Sequence, residues 1–432
     1  MSTEVIAIIL LGGMVVLFLA GVQVAWAIGL MAIIGLLLFV DQPLSQIGWT
    51  AWWTLDSFVL VAVPLFIFMG LTLANTGASE RLFSAVEKWF DRVPGSLAAS
   101  TVGANAIFGA MCGSTIAATA TFGIIAWPEM EKRGYSPGLG LGTIGMAAIL
   151  SPLIPPSLIL IVYGAWQGLP IVKMFAAGFI PGIILAVLFL ITVTIRVKLN
   201  PSLAPSPTRS TWKEKLSAFR ELLPFMLVII IVLGVIFGGF MTTTEAAAMG
   251  AFLAIVLGLA YKRLTLAALK KSLLETVKVT SMTMIIYAMA ILLTHVLNST
   301  GITPTVSRYV VDLPLGKYGI LALLTVGYLI GGMFLTTWEM MFLSLPFVIP
   351  IVTELGFNIM WFGIFFVMVA EQAALTPPFG MSLFILHGIA PKYPMETIFR
   401  GAIPLLIANY VAVVIITVFP AQTVLWLPKI LG

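Results

Sequence analysis

The chain is poor in what a soluble enzyme or a secreted scaffold would need. Only 9% of its 432 residues are charged, one is cysteine and two are histidine. A lone cysteine, Cys112, excludes an internal disulfide framework, and His295 and His387 leave little material for a metal centre. The chain has no Ser/His pair, no paired aspartates, no Gly-x-Ser-x-Gly and no His-Glu-x-x-His, so an intramembrane enzyme would lack its nucleophile and base.

What is present is apolar. Hydrophobic residues make up 60% of the chain and the mean hydropathy is +1.12, with many runs near the roughly 20 residues that span a bilayer. No soluble domain fits anywhere. The opening run, Val5 to Val40, lacks the basic start and Ala-x-Ala-like exit of a cleaved signal peptide and is expected to stay as an anchor. Spans are expected near 4–19, 22–40, 57–75, 137–163, 170–195, 219–240, 244–261, 279–297, 359–386 and 401–425. Between them lie two apolar pieces, 94–130 and 317–353, that read as hairpins entering and leaving on one side. Each has glycine or polar residues near its centre: Cys112-Gly113-Ser114-Thr115 and Leu335-Thr336-Thr337. Non-helical backbone at membrane depth is tolerated only when buried in protein or lining a wet cavity, so a tip placed there implies a site.

A net charge of +5 would suit nucleic acid, but in a membrane chain basic residues mark cytoplasmic ends. Under this layout all but Lys173, Arg308, Lys317 and Lys429 of the 22 lysines and arginines fall on the cytoplasmic side. No nucleic-acid partner is implied, both termini are expected outside, and the hairpins open to opposite faces. The stretch 199–218, with Pro201, Pro205 and Pro207, is the expected cytoplasmic linker between halves. Segments 78–92 and 302–313 follow matching Asn75-Thr76-Gly77 and Ser299-Thr300-Gly301 turns and are expected as amphipathic arms against membrane lipid. Trp49, Trp52 and Trp53 sit where an outer aromatic belt would be.

A proline-broken apolar segment occurs twice, as LSPLIPPSLILIVYG over 150–164 and LTPPFGMSLFILHG over 375–388. At an offset of 225 residues Ser151-Pro152 falls on Thr376-Pro377 and Ser157 on Ser382. Further on, Gly178-Phe179-Ile180-Pro181 nearly meets Gly401-Ala402-Ile403-Pro404. Matching Pro- and Gly-interrupted segments in two halves point to a carrier whose site lies between repeats. The expected fold is an all-α integral membrane protein with two inverted-topology repeats, each with a re-entrant helical hairpin and a broken transmembrane helix. Its organisation is expected as scaffold helices over 1–56, a first repeat over 57–198, a linker and central transmembrane pair over 199–272, and a second repeat over 273–432. The hairpins are 94–130 and 317–353, and the broken helices 137–163 and 359–386.

A helix interrupted in the bilayer frees carbonyls for a small hard cation, while the restarting helix offers N–H groups to an anion. Each half supplies both, so one cation site per half is expected. The first joins the turn Cys112, Gly113, Ser114 and Thr115 to carbonyls around Ser151 and Ile154, with Pro156 unable to donate an N–H. The second sets Gly331, Gly332, Thr336 and Thr337 against Ala373, Thr376, Pro377 and Phe379. Ser157 and Ser382 are expected to restart their helices at matching positions, where they either touch a carboxylate held between the halves or bond back to a helix carbonyl. Among intramembrane acids, Glu245 after Thr242 reads as ordinary helix capping. Glu371 reads as a brace of the second broken span that accepts backbone hydrogen bonds, and Glu339 as a substrate contact. Asn105 either ligates a bound species or ties helices together. His295 and His387 fall near span ends. The candidate substrate contacts are thus Asn105, Ser157, Ser382 and Glu339.

At these residues the chain resembles the large membrane subunit of the tripartite ATP-independent periplasmic (TRAP) transporters. The resemblance covers nearly the whole length and is carried by VAVPLFIFMG (61–70), NAIFGAMCGSTIAATATFG (105–123), LIPPSLILIVYG (153–164), TTTEAAAMGA (242–251) and EQAALTPPFG (371–380). It implies sodium-driven import of an organic acid across the bacterial cytoplasmic (inner) membrane by an elevator motion of the hairpin-bearing domain. It also implies a small four-helix membrane subunit and a periplasmic substrate-binding protein as partners, with sodium as the coupling ion and no other cofactor. The family's sodium positions fall on Cys112, Thr115, Ser151, Ile154 and Pro156, and on Gly332, Thr336 or Thr337, Ala373, Thr376 and Phe379. Cys112 stands where serine is usual and Ala373 where glycine is usual. The second tip lacks a common aspartate, which leaves a zwitterion or an aromatic acid open beside a dicarboxylate. A self-sufficient sodium-coupled carboxylate symporter is the alternative, and an open pore suits lone hairpins less well.

Overall fold

Apolar runs deprived of water satisfy their backbone groups within helices, and helix is what this chain forms. The computed structural model describes residues 2–40, 42–206, 210–377 and 380–431, and no strand occurs among the described residues. Among the described residues six helices are long and apolar enough to cross a bilayer: Phe58–Asn75, Ile171–Leu199, Trp212–Phe237, Thr243–Ala260, Leu266–Ser299 and Met395–Val418. The amino-terminal runs Thr3–Leu19 and Val24–Val40 are shorter apolar helices. They pack Leu10, Met14, Ile28 and Leu36 onto Leu292, Leu293 and Val296 of Leu266–Ser299, in a core separate from the main one.

The same succession of elements then occurs twice. An arm (Ala78–Phe90; Ile302–Val311) leads into a hairpin (Ser96–Cys112 with Thr115–Lys132; Gly316–Gly332 with Thr337–Glu354). The hairpin is followed by a span interrupted midway (Pro137–Ala148 and Leu158–Gln167; Ile359–Ala373 and Met381–Ile389). Each arm starts after a glycine in the left-handed region, Gly77 at φ 76° and Gly301 at φ 75°, a turn that a side chain would strain. The second arm and its hairpin meet at 120°.

Some details differ from expectation. The linker is shorter than 199–218, because Thr211 and Glu214 form a capping box that starts a helix at Trp212. Helix Leu266–Ser299 runs unbroken across the expected limit between 272 and 273. Trp49, Trp52 and Trp53 stand exposed on an unforeseen helix, Ser45–Leu55.

The carboxyl-terminal end of the first arm is pinned by charge. Lys215 Nζ lies 2.7 Å from Asp91 Oδ1, and the Ser210 amide donates to the other carboxylate oxygen. Burial pushes the Asp91 carboxyl up, but Lys215 and Ser210 outweigh it and hold it below its ordinary value. Lys215→Met strands that carboxylate in the interior and is expected to cost about 3–5 kcal/mol of stability. Thermal unfolding of the purified protein in detergent reads the loss, and a melting curve unchanged by Lys215→Met would remove the pair from the arm's anchorage.

Candidate functional site

Each hairpin turns where one helix ends and another begins, and the new helix is capped by its own sequence. At the first tip Gly113 adopts φ 62° and the Ser114 hydroxyl accepts the Ala117 N–H at 3.4 Å. At the second, Thr336 and Glu339 form a capping box: Glu339 Oε2 accepts the Thr336 N–H at 2.7 Å and Thr336 Oγ1 accepts the Glu339 N–H at 3.4 Å. Glu339, expected to meet substrate, is therefore engaged as Glu245 is with Thr242. Such boxes satisfy helix-end N–H groups that have no partner within the helix.

Glycines seat each tip against a break. A Cβ on Gly109 would lie 2.5 Å from Ser151 Cα, and one on Gly332 would lie 2.3 Å from the Ala373 methyl carbon. Gly113 faces Leu158, where the first broken span restarts, and Gly70 of Phe58–Asn75 faces the Met111 carbonyl, where a Cβ would fall at 2.4 Å. The structure thus brings the residues expected for the first cation site, Cys112, Ser114, Thr115 and Ser151, around one tip and one break.

In that break the Leu150 carbonyl accepts two amides, from Leu153 and Ile154, while no backbone N–H among the described residues bonds the carbonyls of Ser151, Leu153 or Ile154. Ser151 Oγ is buried and has no partner among the described residues. Pro156, in a cis peptide with Pro155, contributes no N–H. Ser157 caps the restarting helix: its hydroxyl accepts the Leu160 N–H and donates to the Pro152 carbonyl. A cation here would meet oxygen ligands only, and among the described residues no cluster of His, Cys, Asp or Glu could hold a metal ion.

The second break is arranged differently. The Ala373 carbonyl accepts the Thr376 N–H at 2.9 Å, and the Ala374 carbonyl the Ser382 N–H at 3.0 Å. The Thr376 hydroxyl reaches the Gln372 carbonyl at 3.4 Å. Phe379 lies outside the described residues. Ser382 does not restart its helix, because Gly380 occupies the cap and Ser382 sits two residues further on, with its hydroxyl 3.4 Å from Thr119 of the first hairpin. The expected equivalence of Ser157 and Ser382 fails for that reason. Asn105 neither ties helices together nor has both ends engaged: Nδ2 donates to the Thr101 carbonyl of its own helix, and Oδ1 has no partner among the described residues. His295 bonds Gln42 and His387 the Tyr393 carbonyl, both away from the tips.

Glu371 is the residue that sequence reasoning placed wrongly. Among the described residues its carboxylate accepts no backbone N–H. It is 4% exposed and accepts the Thr115 hydroxyl of the first tip at 2.5 Å. Beside it, Asn409 Nδ2 donates to Gln372 Oε1 at 2.5 Å and to the Met368 carbonyl at 3.1 Å, which fastens this helix to Met395–Val418.

The family model described as tripartite ATP-independent periplasmic transporter, DctM component, matches residues 11–422. A C4-dicarboxylate TRAP transporter large permease protein of Pseudomonas aeruginosa is 32% identical over 94% of each chain. A sialic acid TRAP transporter large permease protein of Vibrio cholerae is 27% identical over 96% of each. Among solved structures, the Alcanivorax borkumensis YdaH transporter superposes with a TM-score of 0.61 at 13% identity, over 85% of this chain and 87% of that one; this is a likeness of fold.

The closest tip contact gives a direct test. Gly332→Ala sets two methyl groups into one space and is expected to cost about 1–3 kcal/mol, read as thermal unfolding in detergent. Adding Ala373→Gly should restore most of it; a double variant no more stable than Gly332→Ala would show that the contact does not limit packing.

Proposed function

This chain belongs to the DctM family, the large permease component of tripartite ATP-independent periplasmic transporters, and we propose that it imports a carboxylate-bearing organic acid on an inward sodium gradient. The observation that carries this reading is the seating of each hairpin tip against a broken span. At the first of these, the Ser151 and Ile154 carbonyls accept no backbone N–H among the described residues, and the buried, unpartnered Ser151 hydroxyl lies against Gly109 of the hairpin. Such oxygens suit a small hard cation, and the helix N-termini at the tips and breaks suit a carboxylate. The two relatives above are named for a C4-dicarboxylate and for sialic acid, both of which carry carboxylates.

In this reading the two successions of arm, hairpin and broken span are inverted repeats, and the basic residues gathered at one set of helix ends support the inversion. The hairpins and broken spans travel together past the remaining helices in an elevator motion. A periplasmic binding protein delivers the solute, a small four-helix membrane subunit completes the permease, and the chain lies in the bacterial cytoplasmic membrane with both termini periplasmic.

Reconstituted into liposomes with a small subunit and a binding protein, the chain is expected to take up organic acid only when sodium is directed inward and the binding protein is present. Uptake with sodium alone would replace this reading by a self-sufficient symporter, and uptake indifferent to sodium would discard the cation sites. Thr376→Val should raise the sodium concentration for half-maximal uptake by about tenfold, the effect of losing one polar ligand worth about 1.4 kcal/mol. Wild-type sodium dependence in that variant would remove the second site.

A further inference from the structure

The end of Ile359–Ala373 is held from outside by one amide pair. Asn409, on Met395–Val418, donates through Nδ2 to Gln372 Oε1 at 2.5 Å and to the Met368 carbonyl at 3.1 Å, and both amide side chains are fully buried. The Met368 carbonyl can only accept, so it fixes which way each amide points. Gln372 in turn organises the second break through its backbone: its carbonyl accepts the Leu375 N–H at 3.0 Å and the Thr376 hydroxyl at 3.4 Å. A line of hydrogen bonds thus runs from Asn409 through Gln372 to Thr376. The first half has no counterpart of this pair. At the offset that aligns the two breaks Ala147 stands for Gln372, and aligning Pro181 with Pro404 sets Ala186 on Asn409. There the neighbouring helix touches its break directly, since a Cβ on Gly178 would fall 2.6 Å from the Leu153 carbonyl oxygen, whereas Gly401, which stands for Gly178, lies against Gly138 instead.

The pair is a poor device for stability alone. Gln372 Nε2 and Asn409 Oδ1 have no partner among the described residues, and two apolar side chains of similar size would fill the contact without a buried donor and acceptor left over. We propose that Asn409 is a positioning residue for the second cation site: through Gln372 it sets the place of Thr376 and Ala373, and so the affinity of that site for sodium. The role rests on the sodium-driven reading above and adds to it the residue that supports the site from the neighbouring helix.

Asn409→Leu, reconstituted with the small subunit and the binding protein, is expected to raise the sodium concentration for half-maximal uptake by about three- to tenfold, the span of one neutral hydrogen bond. The solute KM at saturating sodium should not move. Its unfolding temperature in detergent should fall, because Gln372 Oε1 is left unpaired in the interior. Gln372→Met combined with Asn409→Leu removes both amides: this protein should unfold near the wild-type temperature yet keep the raised sodium requirement, which a merely structural pair would not. Where the single variant does not fold, the double variant carries the test. In a Thr376→Val background Asn409→Leu should add little, since it acts through that hydroxyl. A sodium requirement that returns to normal with stability in the double variant, or stays normal in both, would overturn the proposal, and so would a shift confined to the solute KM. Uptake by the unaltered chain that ignores sodium would instead fail the transport reading, and with it the site that Asn409 supports.

Discussion

A helix broken inside a bilayer leaves amides and carbonyls that no water can satisfy, and the centre of this protein is organised around that constraint. The first break answers it locally. Leu150 shares its carbonyl between two amides, Pro156 has no N–H to satisfy, and Ser157 closes the gap in both directions by capping the next helix and bonding back to Pro152. The second break spends its amides on Ala373 and Ala374 and restarts at Gly380. In the first, the carbonyls of Ser151 and Ile154 accept no backbone N–H among the described residues, which leaves unpaired oxygen beside the place where the first hairpin arrives.

That oxygen is useful only if the tip comes close, and closeness is set by the absence of side chains. Gly70, Gly109 and Gly332 each face backbone or a methyl group at a distance where a Cβ could not stand. Ala373 shows how narrow the margin is, because its own methyl occupies the space that Gly332 leaves. Packing of this kind fixes distance without fixing it by charge, and in lipid it is the dominant means by which helices approach. A buried ion pair does similar work elsewhere, where Asp91 and Lys215 pin the first arm to the start of Trp212–Phe237.

The sequence disclosed these features unevenly, and for physical reasons. The hairpins, arms and broken spans were legible because each depends on local rules: apolar length, Pro and Gly interruptions, and Gly turns such as Gly77 and Gly301. The linker was overestimated because the capping box of Thr211 and Glu214 was overlooked beside three prolines. The capping box of Glu339 was overlooked in the same way, since Thr336 stands three residues before it. The register of Ser382 depended on which residue of Pro-Pro-Phe-Gly would cap the helix, and local rules do not rank Gly380 against Ser382 when both can do so. Glu371 was beyond such rules, because its partner Thr115 lies 256 residues before it, in the hairpin of the other half.

The recurring succession of arm, hairpin and broken span accounts for two tip-and-break pairs, and the differences between the halves account for the contacts that join them. Two identical halves would present two independent hairpins, each satisfied by its own break, with no contact obliging one to follow the other. The differences fall where the halves meet: Met146 against Glu371, Ser157 as cap against Ser382 inside its helix and turned to Thr119 of the first hairpin, and Tyr163 of the first broken span donating to the Ile359 carbonyl at the start of the second. Each difference supplies a contact between the halves. A buried polar group is costly unless bonded, so these contacts hold the halves against each other where exact duplication would not.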